Sequence, residues 1–136
     1  MARAYLRRYG PEHVRCVVGL GTPHHGSVHA WIFPGTCLAQ MRPRSAWLAA
    51  LNRNEAAGPP VRIVSIWSWH DSMVAPQASA CLEGAENVAI IGVGHNALID
   101  NEEVTARVLL EIRRGEREAR DECRERMDNA AMPGTK

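Results

Sequence analysis

Three short runs rich in Val, Ile and other apolar residues, at 14–20, 61–67 and 87–91, each end abruptly in a cluster of chain breakers and polar side chains. The first gives way to Gly21-Thr22-Pro23-His24-His25-Gly26-Ser27, the second to Ser68-Trp69-His70-Asp71 and the third to Gly92-Val93-Gly94-His95. Runs of this length bounded by turn residues predict strands, and their nearly continuous apolar character predicts cover on both faces. Helical patterns lie around them. The fold class that follows is α/β, with three parallel strands and flanking helices.

The helices are read from spacing. Residues 2–9 place apolar or aromatic side chains at 2, 5, 6 and 9 with arginines between, and Gly10-Pro11 stops the pattern. Residues 45–52 predict a short helix. Asp100 and Glu103 have the spacing of a capping box, and Val104, Val108 and Ile112 then repeat every four residues along one face. From 113 to 128 the chain is dominated by charges of both signs with little apolar periodicity, which predicts a solvated or frayed helical tail, a partner-binding helix being the alternative. The domain is thus expected over 1–112, with an excursion at 28–60 and a charged, flexible tail at 113–136.

Composition removes several classes of function. The chain of 136 residues carries a formal charge of +1, so it lacks the basic field that draws proteins onto nucleic acid. No run approaches the roughly 18 to 20 apolar residues of a membrane span, and the first ten residues are not signal-like. The four cysteines have no C-x-x-C spacing, although Cys37 and Cys81 could pair in an oxidising compartment. His25 and His29 share i, i+4 spacing, but Gly26 argues against a helix there and no carboxylate or cysteine is spaced to complete a zinc tetrahedron. Neither metal nor cofactor is expected.

In open α/β sheets reactive side chains collect at the carboxyl ends of the strands. Asp71 and His95 both stand there, after the second and third strands, 24 positions apart in sequence. Adjacent strands lie about 4.8 Å apart, so the two loop tips can meet. A carboxylate bonded to an imidazole fixes its tautomer and stabilises the imidazolium formed when the other ring nitrogen takes a proton.

These segments resemble the α/β-hydrolase fold, and within it the bacterial triacylglycerol lipases and esterases, over residues 2 to about 112. The loop at 20–27, Leu-Gly-Thr-Pro-His-His-Gly-Ser, is similar to a G-T-P-H-x-G-S loop of those enzymes. The segment at 67–76 is similar to the one that holds their catalytic acid, and Val93-Gly94-His95 to the one that holds their catalytic histidine. The resemblance implies the C-terminal half of a hydrolase fold, with Asp71 as acid and His95 as base in carboxyl-ester hydrolysis. It also implies a cap at 28–60, whose Trp31, Phe33 and Met41 would form an acyl-binding surface, and a carboxylic ester or acylglycerol as substrate.

The helix at 2–9 resembles the one that follows the G-x-S-x-G nucleophile turn of the family. No serine of this chain stands in such a turn, and the family's two oxyanion donors would also lie upstream. The resemblance therefore implies that the serine comes from sequence outside these residues, and that the chain by itself is inactive. Relatives of this kind are often exported. The alternative reading is a non-catalytic half-sheet that dimerises, or binds a partner, through the open edge of its first strand.

Overall fold

The computed structural model describes residues 1–32, 34–53 and 58–131, with the side chains of 130 and 131 excepted. Three strands, β1 (Cys16–Leu20), β2 (Arg62–Ser68) and β3 (Glu86–Ile90), form one sheet in the order β1-β2-β3, parallel throughout. Helix α1 (Ala2–Tyr9) precedes β1, α2 (Thr36–Met41) and α3 (Ala46–Asn52) lie in the excursion, and α4 (Glu102–Ala131) follows β3. This is an α/β fold with helices flanking an all-parallel sheet.

Each strand lies within two residues of its expected bounds, but burial is unequal. Central β2 is buried from Ile63 to Ser68, whereas every residue of β1 is only half-buried. The continuous apolar run at 14–20 predicts cover on both faces. The structure corrects this, because β1 pairs with β2 alone among the described residues and its other edge is open. Burial follows position in the sheet as well as side-chain type.

The main core lies between the sheet and α4, where Val64, Ile66, Ile90, Leu98 and Val104 are buried and Cys16, Val18, Leu20 and Val108 pack around them. A smaller cluster of Trp67, Val74 and Ala80 closes the opposite face beside the loop after β2. Helix α1 ends at Gly10, whose φ of 81° lets its N–H return to the Leu6 carbonyl. Its arginines finish another helix: Arg3 donates to the Leu51 carbonyl and the Asn52 side chain, and Arg7 to the Ala50 carbonyl. Cations thus meet the negative end of α3 and hold the excursion against the body.

Helix α4 starts one residue later than the D-x-x-E spacing implies. Asn101, not Asp100, accepts from the Val104 amide at 3.0 Å. The charged segment is not separate from this helix, which runs unbroken to Ala131. No helix of the described residues is long and apolar enough to cross a membrane.

Candidate functional site

The carboxyl ends of the three strands put three loops side by side, with the loop after β2 in the middle. The chain turns at once after Ser68, whose carbonyl accepts from the Asp71 amide at 3.2 Å. Asp71 Oδ1 then accepts from the Met73 and Val74 amides, both at 2.8 Å. This Asx turn leaves Oδ2 as the one carboxylate oxygen directed elsewhere. Gln77 adds a bond to the Asp71 carbonyl at 3.0 Å. The residue is 2% exposed and its side chain has one orientation available.

His95 arrives from the neighbouring loop. Its turn leads into a single 3₁₀ turn, Asn96–Leu98, and Leu98 is sunk in the main core. That anchor fixes the height of the imidazole above the sheet. His95 Nδ1 lies 2.7 Å from Asp71 Oδ2. A carboxylate only accepts, so Nδ1 donates and the lone pair of the neutral ring stands on Nε2. The His95 side chain is 28% exposed while Asp71 is buried, so the couple is reached from its imidazole side.

The third wall is backbone. Gly21 continues the ladder beyond β1, donating to the Ile66 carbonyl at 2.8 Å. A Cβ on it would stand 3.0 Å from Asp71 Oδ2 and 2.9 Å from His95 Nδ1. The chain at this point has to lack a side chain for the couple to close. His70 ties the two loops from outside, its Nδ1 accepting from the Gly92 amide at 3.0 Å. Neither Gly21 nor His70 is marked by sequence spacing; the chain-breaker cluster beginning at Gly21 is the only trace.

The loop at 22–27 acts as a buckle. Ser27 Oγ donates to the Met73 carbonyl at 2.9 Å and accepts from the Ala75 amide at 3.1 Å. Ser79 Oγ donates to the Gly26 carbonyl, and the His25 amide to the Ser79 carbonyl. These bonds hold the Asp71 loop against the strand on its far side. His24, 5% exposed, lies beneath with Nδ1 3.3 Å from Arg3 Nη1 and Nε2 3.3 Å from Ser65 Oγ. Burial, and then the positive Arg3 nearby, push its pKa down to about 4.

The histidines of that loop go to different partners. His25 Nδ1 faces the Asn52 amide, and His29 Nδ1 the Met73 carbonyl. No group of three metal-ligating side chains converges among the described residues. All four cysteines are free: Cys37 is exposed on α2, and Cys81 packs beside Trp67 and Val74.

Hydroxyls are equally committed. Ser27, Ser45, Ser65 and Ser79 donate to carbonyls, and Ser68 Oγ accepts from the His70 amide. Ser72 is exposed, and among the described residues no serine is hydrogen-bonded to His95. The expected acyl-binding residues separate. Met41 lines a cavity of about 450 Å³ with Val17, Leu48, Leu51 and Ile63. Trp31 stands outside that cavity, 62% exposed, its ring under the Arg42 guanidinium at 4.2 Å. Phe33 lies outside the described residues.

No protein-family model matches the chain, and no curated protein matches it.

Proposed function

We propose that Asp71 and His95 are the acid and general base of a carboxyl-ester hydrolase of the α/β-hydrolase type, and that this chain supplies that couple to the reaction. The observation that carries the reading is the 2.7 Å contact between a buried, twice-anchored carboxylate and a solvent-reachable imidazole. In such an arrangement Nε2 takes a proton from an attacking hydroxyl, and Asp71 stabilises the imidazolium that results. The hydroxyl adds to the ester carbonyl, and the proton passes from Nε2 to the departing alcohol. Where the hydroxyl is a serine's, water then releases the acid from the acyl ester by the same route; where it is water, the acid leaves directly.

The apolar cavity supports an acyl substrate. Its size falls in the range of small-molecule sites, and Thr22 on its wall adjoins Gly21, where an added Cβ would meet both members of the couple. Because the chain's own serines are engaged elsewhere or unbonded to His95, the hydroxyl is an external one: water, or a serine supplied by other sequence.

The test is hydrolysis of a short p-nitrophenyl ester by the full chain, with fluorophosphonate labelling in parallel. Without its own nucleophile the chain should show no serine labelling and lack the rate of a complete serine esterase, leaving at most a slow turnover with water as the attacking group. Any such turnover should fall to background in His95→Ala. Turnover that persists unchanged in this variant, or labelling of a serine that is indifferent to it, would end the reading.

A further inference from the structure

The last third of α4 stands away from the body. Every described side chain from Arg120 onward is exposed, and the ion pair of Arg15 with Glu122 at 3.0 Å is the tie that reaches back to the sheet. A dozen residues of isolated helix are marginal in water. This segment is nonetheless helical to Ala131.

Two patterns share the segment. Residues 113–120 hold four arginines and two glutamates, and residues 121–128 hold four carboxylates and two arginines. The first half is net positive and the second net negative by the same amount. Gly115, Ala119, Cys123 and Met127 meanwhile recur every four residues, which places them on one ridge. Gly115 and Ala119 line a cleft of about 400 Å³ with Ile112, Val14, Cys16 and Val18, below the start of β1. Met127 is 68% exposed, and nothing among the described residues covers it.

We infer that α4 is a self-association surface, whose occupant is α4 of a second copy of this chain lying antiparallel to it. An antiparallel pair centred between Ala119 and Cys123 sets each positive half against the other copy's negative half. A parallel pair would set like against like. The same centre puts Met127 of one copy opposite Gly115 of the other, over the cleft beside β1, and Cys123 opposite Ala119. Large side chains thus meet small ones at both ends of the contact, as ridge-and-groove packing requires. The two patterns select the same register independently. The proposal does not depend on the hydrolase reading, and its test uses no activity.

Sedimentation equilibrium of the full chain should give a dimer at micromolar concentration. Arg117→Glu with Arg120→Glu makes both halves net negative and should raise the dimer dissociation constant by about tenfold or more. Adding Glu125→Arg and Asp128→Arg to that variant restores opposite signs and should restore the dimer. In a Cys37→Ser background, Ala119→Cys should form an intermolecular disulfide with Cys123 on mild oxidation. A monomeric parent would overturn the proposal, as would a dimer indifferent to the charge reversal or a reversal that compensation fails to rescue.

Discussion

Gly21 stands so close to His95 that the Cβ it lacks would fall 2.9 Å from the imidazole Nδ1. The same atom would fall 3.0 Å from Asp71 Oδ2, so a single methyl would press on both ends of the 2.7 Å bond. Its φ of 52° adds a left-handed backbone, which costs a residue with a side chain about 1–2 kcal/mol. Gly21→Ala is expected to lower stability by at least that amount and to part the couple. The readout is the downfield Nδ1–H proton resonance of His95, which should be present in the parent and absent in the variant. A variant that keeps the resonance unshifted would show that the loop yields easily.

Asp71 has a structural task separable from its bond to His95. Asp71→Ala leaves the Met73 and Val74 amides without their acceptor, the first bond part-buried and the second buried. Since water can reach the exposed side of this turn, the loss should cost about 1–3 kcal/mol in urea unfolding. Asp71→Asn keeps an oxygen for the amides and should cost less than half as much. It also presents an NH₂ group to His95, which reverses the preferred tautomer and moves the lone pair from Nε2 to Nδ1. The asparagine variant should therefore stay folded while the downfield Nδ1–H resonance of His95 disappears.

What the sequence discloses here is local, and what it conceals is long-range. Asp71 and His95 are legible because each follows a β-rich run with breakers at its end, and parallel strands bring such ends to one edge. Gly21 is not, since its importance lies in two side chains 50 and 74 positions away. His24 reads as a loop histidine beside Pro23 and Gly26, yet the buckle formed by Ser27 and Ser79 sinks it to 5% exposure. The length of α4 is legible on different grounds. Its distal half faces no core of the described residues, so the repeat of large apolar side chains ends at Ile112 and only the ridge from Gly115 to Met127 continues the four-residue spacing. Exposed i, i+4 pairs such as Arg114 with Glu118 at 2.9 Å continue the helix instead.

Glu111 illustrates the same separation. Its side chain is fully buried on α4, yet Arg62 on β2 donates to both its oxygens and Arg107 Nε lies 3.0 Å from Oε1. The Arg62 guanidinium is held above its ordinary pKa chiefly by the bond to Glu111. Glu111→Ala strands two arginines, but both are about a quarter exposed and keep Glu86 as a partner. The cost should therefore lie below the usual range for breaking a buried pair, at about 2–3 kcal/mol. Replacing both partners, Arg62→Met with Glu111→Leu, should recover most of it. Thermal unfolding of the two variants checks the order, and a double variant less stable than Glu111→Ala would count against this account.

His24 should make the fold acid-sensitive. The Arg3 guanidinium donates to Nδ1, so Nε2 carries the proton and donates to Ser65, whose hydroxyl passes on to the Ala80 carbonyl at 2.7 Å. This chain is satisfied only by a neutral ring: protonating Nδ1 would set a second donor against Arg3, with His25 and the N-terminal amine adding positive charge nearby. The folded pKa is about 4 against 6.5 for the ordinary side chain. Between these values the unfolded chain binds a proton that the folded one refuses, so stability rises with pH through that window. It is fully present above about 6.5 and lost progressively down to about 4, an effect on the order of 3 kcal/mol for a group this buried. Urea midpoints at pH 7 and pH 4.5 should show the fall in the parent. In His24→Gln the contribution of this site disappears, leaving a shallower slope even if the variant is less stable throughout. A parent and variant with parallel pH profiles would mean that His24 titrates normally and that its burial has no consequence for folding.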